Sequence, residues 1–324
     1  MFKLLYLLLI IGITLFNSLS FAETIDLSPY IHNNPFGLAV DPDNGNFYIS
    51  QDSAVLHPEL DNFYVFSSQG AYLSSSKMPL NYSIYGRINS IVASEDNYLY
   101  VNHLRLLQTY PDVLEYTISK VSKDGKNVIS SFSLGAGAWT YYNGLTLNTN
   151  NHNLFVGYFD NTIRDSMSRI VEVTQDGVQL SSFQARPLAI DMAYSEERDS
   201  IFVAYASTLY QYYSNVAFID EYKQNDNHEY ELVASYKFPD YDYINITGFD
   251  IGRSDDIFYL LNLRGSINSY SFNDLIPYDP IYIPPPPPPS PVPLPGSILM
   301  LFSGLLSSFG YKIFVKRSSL MSSR

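Results

Sequence analysis

Between residues 24 and 283 one pattern recurs every 45 to 59 residues: a short apolar strand, a polar turn, then a stronger apolar strand. The openings lie at 37–40, 90–92, 144–147, 189–192 and 248–251, and their partners begin at Phe47, Leu99, Leu154, Ile201 and Phe258. The turns between them, such as Asp41-Pro42-Asp43-Asn44-Gly45 and Glu95-Asp96-Asn97, have the Asp, Asn, Gly and Pro content of hairpins. With 29 Tyr and 20 Phe the chain favours strands over helices. A unit this small cannot bury its apolar face alone, so the copies must stack on one another.

Most units run on into a third and a fourth strand. Residues 169–173, Asp176-Gly177 and 178–183 are the clearest case, and 119–121, Asp124-Gly125 and 128–132 repeat it one unit earlier. Four antiparallel strands per unit, with no amphipathic helix, describe an all-β fold: a β-propeller of about five four-stranded blades. A six-bladed ring or a pair of β-sandwiches is the alternative reading. The last unit has strands at Gly248, Phe258 and Ser266 before it meets prolines, so residues 24–27 are expected to supply its fourth strand and close the ring. The run from Val40 through Asp41-Pro42-Asp43-Asn44-Gly45-Asn46 to Phe47-Tyr48-Ile49-Ser50 resembles NHL-type and YVTN-type propeller repeats and the gluconolactonase-like superfamily. The resemblance spans roughly 240 residues and implies the fold rather than an activity.

The two ends carry addresses. Residues 1–22 read as a secretory signal peptide: Lys3 gives the positive start, 4–16 the apolar run, and Ser20-Phe21-Ala22 the site at which signal peptidase cuts. The propeller domain follows over 23–283, then a Pro-rich linker over 284–295, a sorting and transmembrane segment over 296–317, and a cytoplasmic tail over 318–324. The linker holds nine prolines in twelve residues, a stiff spacer of roughly 37 Å. Residues 298–315 as one short C-terminal transmembrane helix would span about 27 Å, near a bilayer core of about 30 Å, with Lys312 snorkelling. Lys316 and Arg317 complete the basic cluster that holds this end on the cytoplasmic side. Val292-Pro293-Leu294-Pro295-Gly296-Ser297, the apolar helix and Lys312, Lys316 and Arg317 together resemble a PEP-CTERM sorting signal of the VPLP type. The resemblance covers about the last 33 residues. It implies recognition by an exosortase, a membrane transpeptidase of Gram-negative bacteria, and passage from an inner-membrane precursor to the cell surface or extracellular matrix. A plain C-terminal anchor is the other reading of the same residues.

Charge and composition then exclude several classes. Lys3, Lys312, Lys316, Arg317 and Arg324 are five of the 19 basic residues and neither end has an acidic one, so the core keeps 14 basic against 32 acidic groups, a net charge of −18. Such a field repels phosphate backbones, and nucleic acid is excluded as a partner. The absence of cysteine removes disulfides, thiolate metal sites and cysteine nucleophiles. There is no Gly-x-Ser-x-Gly elbow, phosphate loop or dinucleotide fingerprint.

In a propeller the residue ahead of each innermost strand borders the central channel. Here those residues are Phe36, Asn89, Asn143, Leu188 and Thr247. Lactonase-like members of the resembled superfamily hold a metal there with a Glu, an Asn and an Asp from different blades. Asn143 matches the Asn, but no carboxylate stands among the five, so no metal, cofactor or catalytic residue is assigned. Asp41, Asp43 and Gly45 resemble the start of a calcium loop, yet the Gly falls one place early and no Glu follows, which leaves a solvated hairpin turn. Tyrosines near strand ends (Tyr141, Tyr142, Tyr210, Tyr212, Tyr213, Tyr241, Tyr243) suit either inter-blade packing or a binding face. The expected function is a non-enzymatic surface or matrix binding module for an extracellular polysaccharide or protein. The alternative is a metal-dependent lactonase-like hydrolase resting on Asn143.

Overall fold

The computed structural model describes residues 23–31, 34–51, 62–80, 87–109, 112–137, 140–160, 167–187, 189–205, 216–242, 246–253 and 256–279. The segments read above as a signal peptide, a linker, a sorting motif at 292–297, a transmembrane segment with Lys312, Lys316 and Arg317, and a tail lie outside these residues, as does Leu188. Among the described residues no helix is long and apolar enough to cross a membrane.

The first strand, β1 (Glu23–Asp26), precedes four sequential blades. Blade 1 is β2 (Pro35–Val40), β3 (Phe47–Gln51), β4 (Phe63–Phe66) and β5 (Tyr72–Ser76). Blade 2 is β6 (Arg87–Ala93), β7 (Tyr98–Thr109), β8 (Asp112–Ser122) and β9 (Val128–Gly137). Blade 3 is β10 (Thr140–Leu147), β11 (Leu154–Asp160), β12 (Ser168–Val173) and β13 (Gln179–Ala185). Blade 4 is β14 (Ala189–Ser195), β15 (Ser200–Tyr205), β16 (Val216–Gln224) and β17 (Tyr230–Asp242). Blade 5 is β18 (Ile246–Gly252), β19 (Ile257–Asn262) and β20 (Ser266–Ser271), and its outer strand is β1. Glu23 pairs Ser269 and Asp26 pairs Ser266, so the ring is shut by the first of the described strands, as the sequence pattern implies. The five innermost strands β2, β6, β10, β14 and β18 pack on one another in a closed cycle. The architecture is a five-bladed β-propeller.

One strand is not announced by the pattern. After a single 3-10 turn at Phe272–Asp274, β21 (Ile276–Pro277) crosses back and pairs the outer edge of β17, opposite Tyr236 and Lys237. A proline is tolerated there because an edge strand has one side free of ladder bonds.

The hairpin turns of blades 1, 2 and 3 are built alike. Asp41, Ser94 and Asn148 each follow an innermost strand and each accepts, on the side chain, the N–H two residues on, from Asp43, Asp96 and Asn150 at 3.0, 3.2 and 2.8 Å. This local bond turns the chain without a helix. The core lies between blades. Phe202, Phe249 and Phe258 are fully buried in the contact of blades 4 and 5, with Phe202 meeting Phe258 edge-on at 5.0 Å. Burying one such ring is worth about 2–3 kcal/mol.

Candidate functional site

At the axis every innermost strand carries a β-bulge near its start. The extra residue is Phe36, Asn89, Ile190 or Thr247 in four blades, and Gly144, beside Asn143, in blade 3. The sequence pattern places the blade 4 slot at Leu188; the register makes Ile190, two residues on, the counterpart of Phe36, Asn89, Asn143 and Thr247. Asn89 is buried, and Phe36, Asn143 and Thr247 are half-buried. Thr247 Oγ1 donates to the Leu261 carbonyl at 3.3 Å, within its own blade.

The next position around the ring is Gly37, Ser90, Gly144, Asp191 and Gly248. Three glycines and a serine let the strands approach closely: a Cβ on Gly248 would sit 2.7 Å from Leu38 N, and one on Gly144 3.0 Å from Asp191 Cα. Gly144 is also held at φ +76°, which an L side chain resists. Into this constriction the fold places a carboxylate that the slot assignment misses. Asp191, 2% exposed, receives Ser90 Oγ from blade 2 at 2.9 Å, Phe249 N from blade 5 at 3.0 Å, and its own neighbour Met192 N at 3.0 Å. One position along blade 5, buried Asp250 receives Val40 N from blade 1 at 2.7 Å and Ile251 N at 2.9 Å. The two carboxyls therefore tie blades 1, 2, 4 and 5 together. Burial pushes the Asp250 carboxyl up to about 7. The same cause, with a smaller push from nearby Asp250, raises Asp191 well above the carboxylate range.

Toward the hairpin face the axis opens into a funnel of about 40 Å³ lined from all five blades, with Asp250, Thr146, Tyr194 and Arg253 in its wall. That is room for about three waters, whereas organic ligands occupy pockets of about 300–1,000 Å³. Arg253 caps its mouth by pairing with Glu95 of blade 2 and, at 2.7 Å, with Glu196 of blade 4. Among the described residues no three His, Asp or Glu side chains converge as metal ligands.

Two other polar groupings answer to structure. His103 Nε2 lies 2.9 Å from Ser119 Oγ, itself 2.7 Å from Ser131 Oγ, but Ser119 is 1% exposed and out of reach of a substrate. The turn at Asp41 is a hairpin, as its residues suggest, yet it is not solvated at its head: Asp41 is buried and its Oδ1 accepts Lys123 Nζ of blade 2 at 2.9 Å. An ammonium fills the place a metal ion would take. Of the tyrosines singled out in the sequence, Tyr210, Tyr212, Tyr213 and Tyr243 lie outside the described residues.

The rim shows a regularity invisible in the sequence pattern. The outer strands of blades 1 to 4 each carry a bulge residue close to the turn that opens them, Leu73, Ile129, Leu180 and Val233, and those of blades 2 and 4 have a second irregularity farther along. All four are large aliphatics, and all are more than half exposed, at 51, 53, 52 and 57%. In blade 5 the outer strand β1 pairs without a bulge and Ile25 packs partly into the core.

No family model matches the chain, and no curated protein matches it. Among solved structures it is similar to a glucose dehydrogenase (TM-score 0.46, 10% identity, covering 73% of this chain and 95% of that one). It is also similar to a luciferin-regenerating enzyme (TM-score 0.47, 13% identity, 82% of each chain) and to a nidogen/laminin complex (TM-score 0.45, 12% identity, 77% of this chain and 80% of that one). Likenesses this distant carry no functional argument.

Proposed function

We propose that this protein is an exported, non-enzymatic propeller that binds an extracellular protein through its rim, after delivery to the surface or matrix by an exosortase-type system. The observation that carries the reading is the row of aliphatic knobs at Leu73, Ile129, Leu180 and Val233. An outer-strand bulge protects a sheet edge from pairing with other chains, and it does so whatever side chain it bears. Four large aliphatics at that one position in an acidic chain instead provide apolar area to bury, at about 25 cal/mol per Å². The axis is compatible with this reading, because its carboxylates are engaged by neighbouring blades. The tail supports the delivery step through Val292 to Ser297 and the basic residues that follow.

The test replaces Leu73, Ile129, Leu180 and Val233 together by Lys and measures retention of the protein in the matrix of the native host. Retention lost with β-rich circular dichroism intact supports rim binding; unchanged retention overturns it. A screen of the metal-supplemented protein on lactones and phosphate esters addresses the enzymatic alternative, and turnover abolished by Asn143→Ala would replace the binding reading. For the tail, replacing Pro293, Leu294 and Pro295 by Ala should keep the exported protein full-length in the membrane, while the wild type is released at lower mass. Equal masses would make the segment a permanent anchor.

A further inference from the structure

We propose that Asp191 and Asp250 form a proton-operated latch at the centre of the ring, closed while at least one of them keeps its proton and loosened when both ionise. The latch rests on geometry. Asp191 spans the axis, linking Ser90 of blade 2 to Phe249 of blade 5 from its own place on blade 4. Asp250 carries the chain of bonds onward to Val40 of blade 1. Four of the five blades thus meet on two buried carboxyl groups.

Each strand packed on the pair meets it with a neutral donor or with one of the two carboxyls. β2 offers Val40 N–H, β6 the Ser90 hydroxyl, β10 the hydroxyl of Thr146 at the funnel wall, and β14 and β18 the carboxyls themselves. The charged groups at the funnel are Glu196 and Arg253, with Glu95 beyond, and Arg253 is engaged by both glutamates. The Tyr194 hydroxyl is turned to Asp199 at 2.5 Å. Among the described residues neither aspartate makes an ion pair. Two buried anions without a cation repel each other and cost more than one anion and one neutral acid. A retained proton removes that cost, and an Asp191 protonated on Oδ1 can donate to Ser90 Oγ while its Oδ2 still accepts Phe249 N–H.

The sign follows from linkage. Folded-state affinities for protons lie above the unfolded ones, so the stabilisation is complete below about pH 4 and is lost as pH rises toward and through 7. Each retained proton makes the folded-to-unfolded ratio fall about tenfold per pH unit within that window. Self-repulsion of the acidic surface is a separate effect that salt screens, whereas a buried pair is screened little.

The experiment is urea unfolding of the purified protein between pH 5 and 9, in low and in 0.5 M KCl, for wild type and Asp250→Asn. The wild-type ratio should fall about a hundredfold from pH 5 to pH 7 for each proton the pair retains, at both salt concentrations, with the slope of Asp250→Asn lower by one proton. Infrared spectra provide a readout that does not depend on the variant folding well. A protonated carboxylic acid band should be present at pH 5.5 and vanish by pH 9 in the wild type. An unaltered slope in Asp250→Asn, a slope abolished by salt, or a band absent at pH 5.5 would each overturn the latch.

Discussion

The seam between blades 1 and 2 and the seam between blades 2 and 3 occupy the same positions of the repeat with different chemistry. In the first, Tyr48 Oη donates to Asp41 at 2.7 Å, and Lys123 Nζ from the next blade bridges Asp41 and Asp43 at 2.9 and 3.0 Å. In the second, the register places Tyr100, Ser94, Asp96 and Gln175 at the positions of Tyr48, Asp41, Asp43 and Lys123. Gln175 turns away to the His152 carbonyl at 3.2 Å, and the Tyr100 hydroxyl, buried at 1% exposure, finds no hydrogen-bond partner among the described residues. The backbone bond of the turn survives in both, from Asp43 N in one and Asp96 N in the other. The difference teaches that the repeat preserves backbone geometry while a polar seam needs all three of its side chains at once. Electrostatics follow suit. Burial alone would push Asp41 up, but Tyr48, Lys123 and the Asp43 N–H together hold it below the usual carboxylate range. Burial, aided by Asp96 and Asp176, pushes the Tyr100 phenol up to about 12.

The comparison can be broken most forcefully at Asp41. Asp41→Ala leaves the largely buried Lys123 with Asp43 alone and takes the acceptor from the Tyr48 hydroxyl, and should cost about 3 kcal/mol, read as a lower urea midpoint. Because the folded-state carboxyl is depressed, its stabilisation is present above about pH 4 and lost as pH falls through its own value. The deficit of the variant should therefore shrink in strong acid; a constant deficit would mean that shape rather than charge holds the seam. Tyr48→Phe removes one bond to a charged acceptor and should cost about 1.5–2 kcal/mol. Grafting the first seam onto the second with Ser94→Asp and Gln175→Lys should raise stability by about 1 kcal/mol, and either change alone should not. The smallest effect is the most telling in sign: Tyr100→Phe, the same substitution as at Tyr48, should be neutral or stabilising by up to about 0.5 kcal/mol.

Much of this fold was legible because blades announce themselves locally. An apolar strand, a turn of Asp, Asn or Ser, and a second strand lie within a dozen residues, and even the closing strand at 23–26 could be inferred from a missing partner. The axis was less legible. In blade 4 the apolar pair Ala189-Ile190 looks like the start of the strand, and a bulge shifts the register where Asp191 enters. A slot counted from the apolar run therefore lands on Leu188, and the carboxyl two positions after Ala189 is overlooked. The burial of Asp41 was hidden for another reason: the lysine that covers it is 82 residues away in sequence. The rim knobs were missed because a bulge puts two adjacent residues on one face, which alternation cannot reveal. Leu73 and Ile129 read as ordinary members of apolar strands until the ladder is known.

The pairing of β1 with β20 makes closure of the ring a long-range step, with Ser269 lying 246 residues beyond Glu23. Bringing such distant ends together costs about 5 kcal/mol of chain entropy before a single bond forms. Long-range pairing of this kind makes the final step slow relative to formation of individual hairpins. Until blade 5 is complete, the free edge of β20 and the unpaired 23–26 segment are both available to wrong partners, including another copy in the same state. Maturation of this propeller thus has a built-in finishing event, and crowding or delay before it is the point at which the chain is most exposed to misassembly.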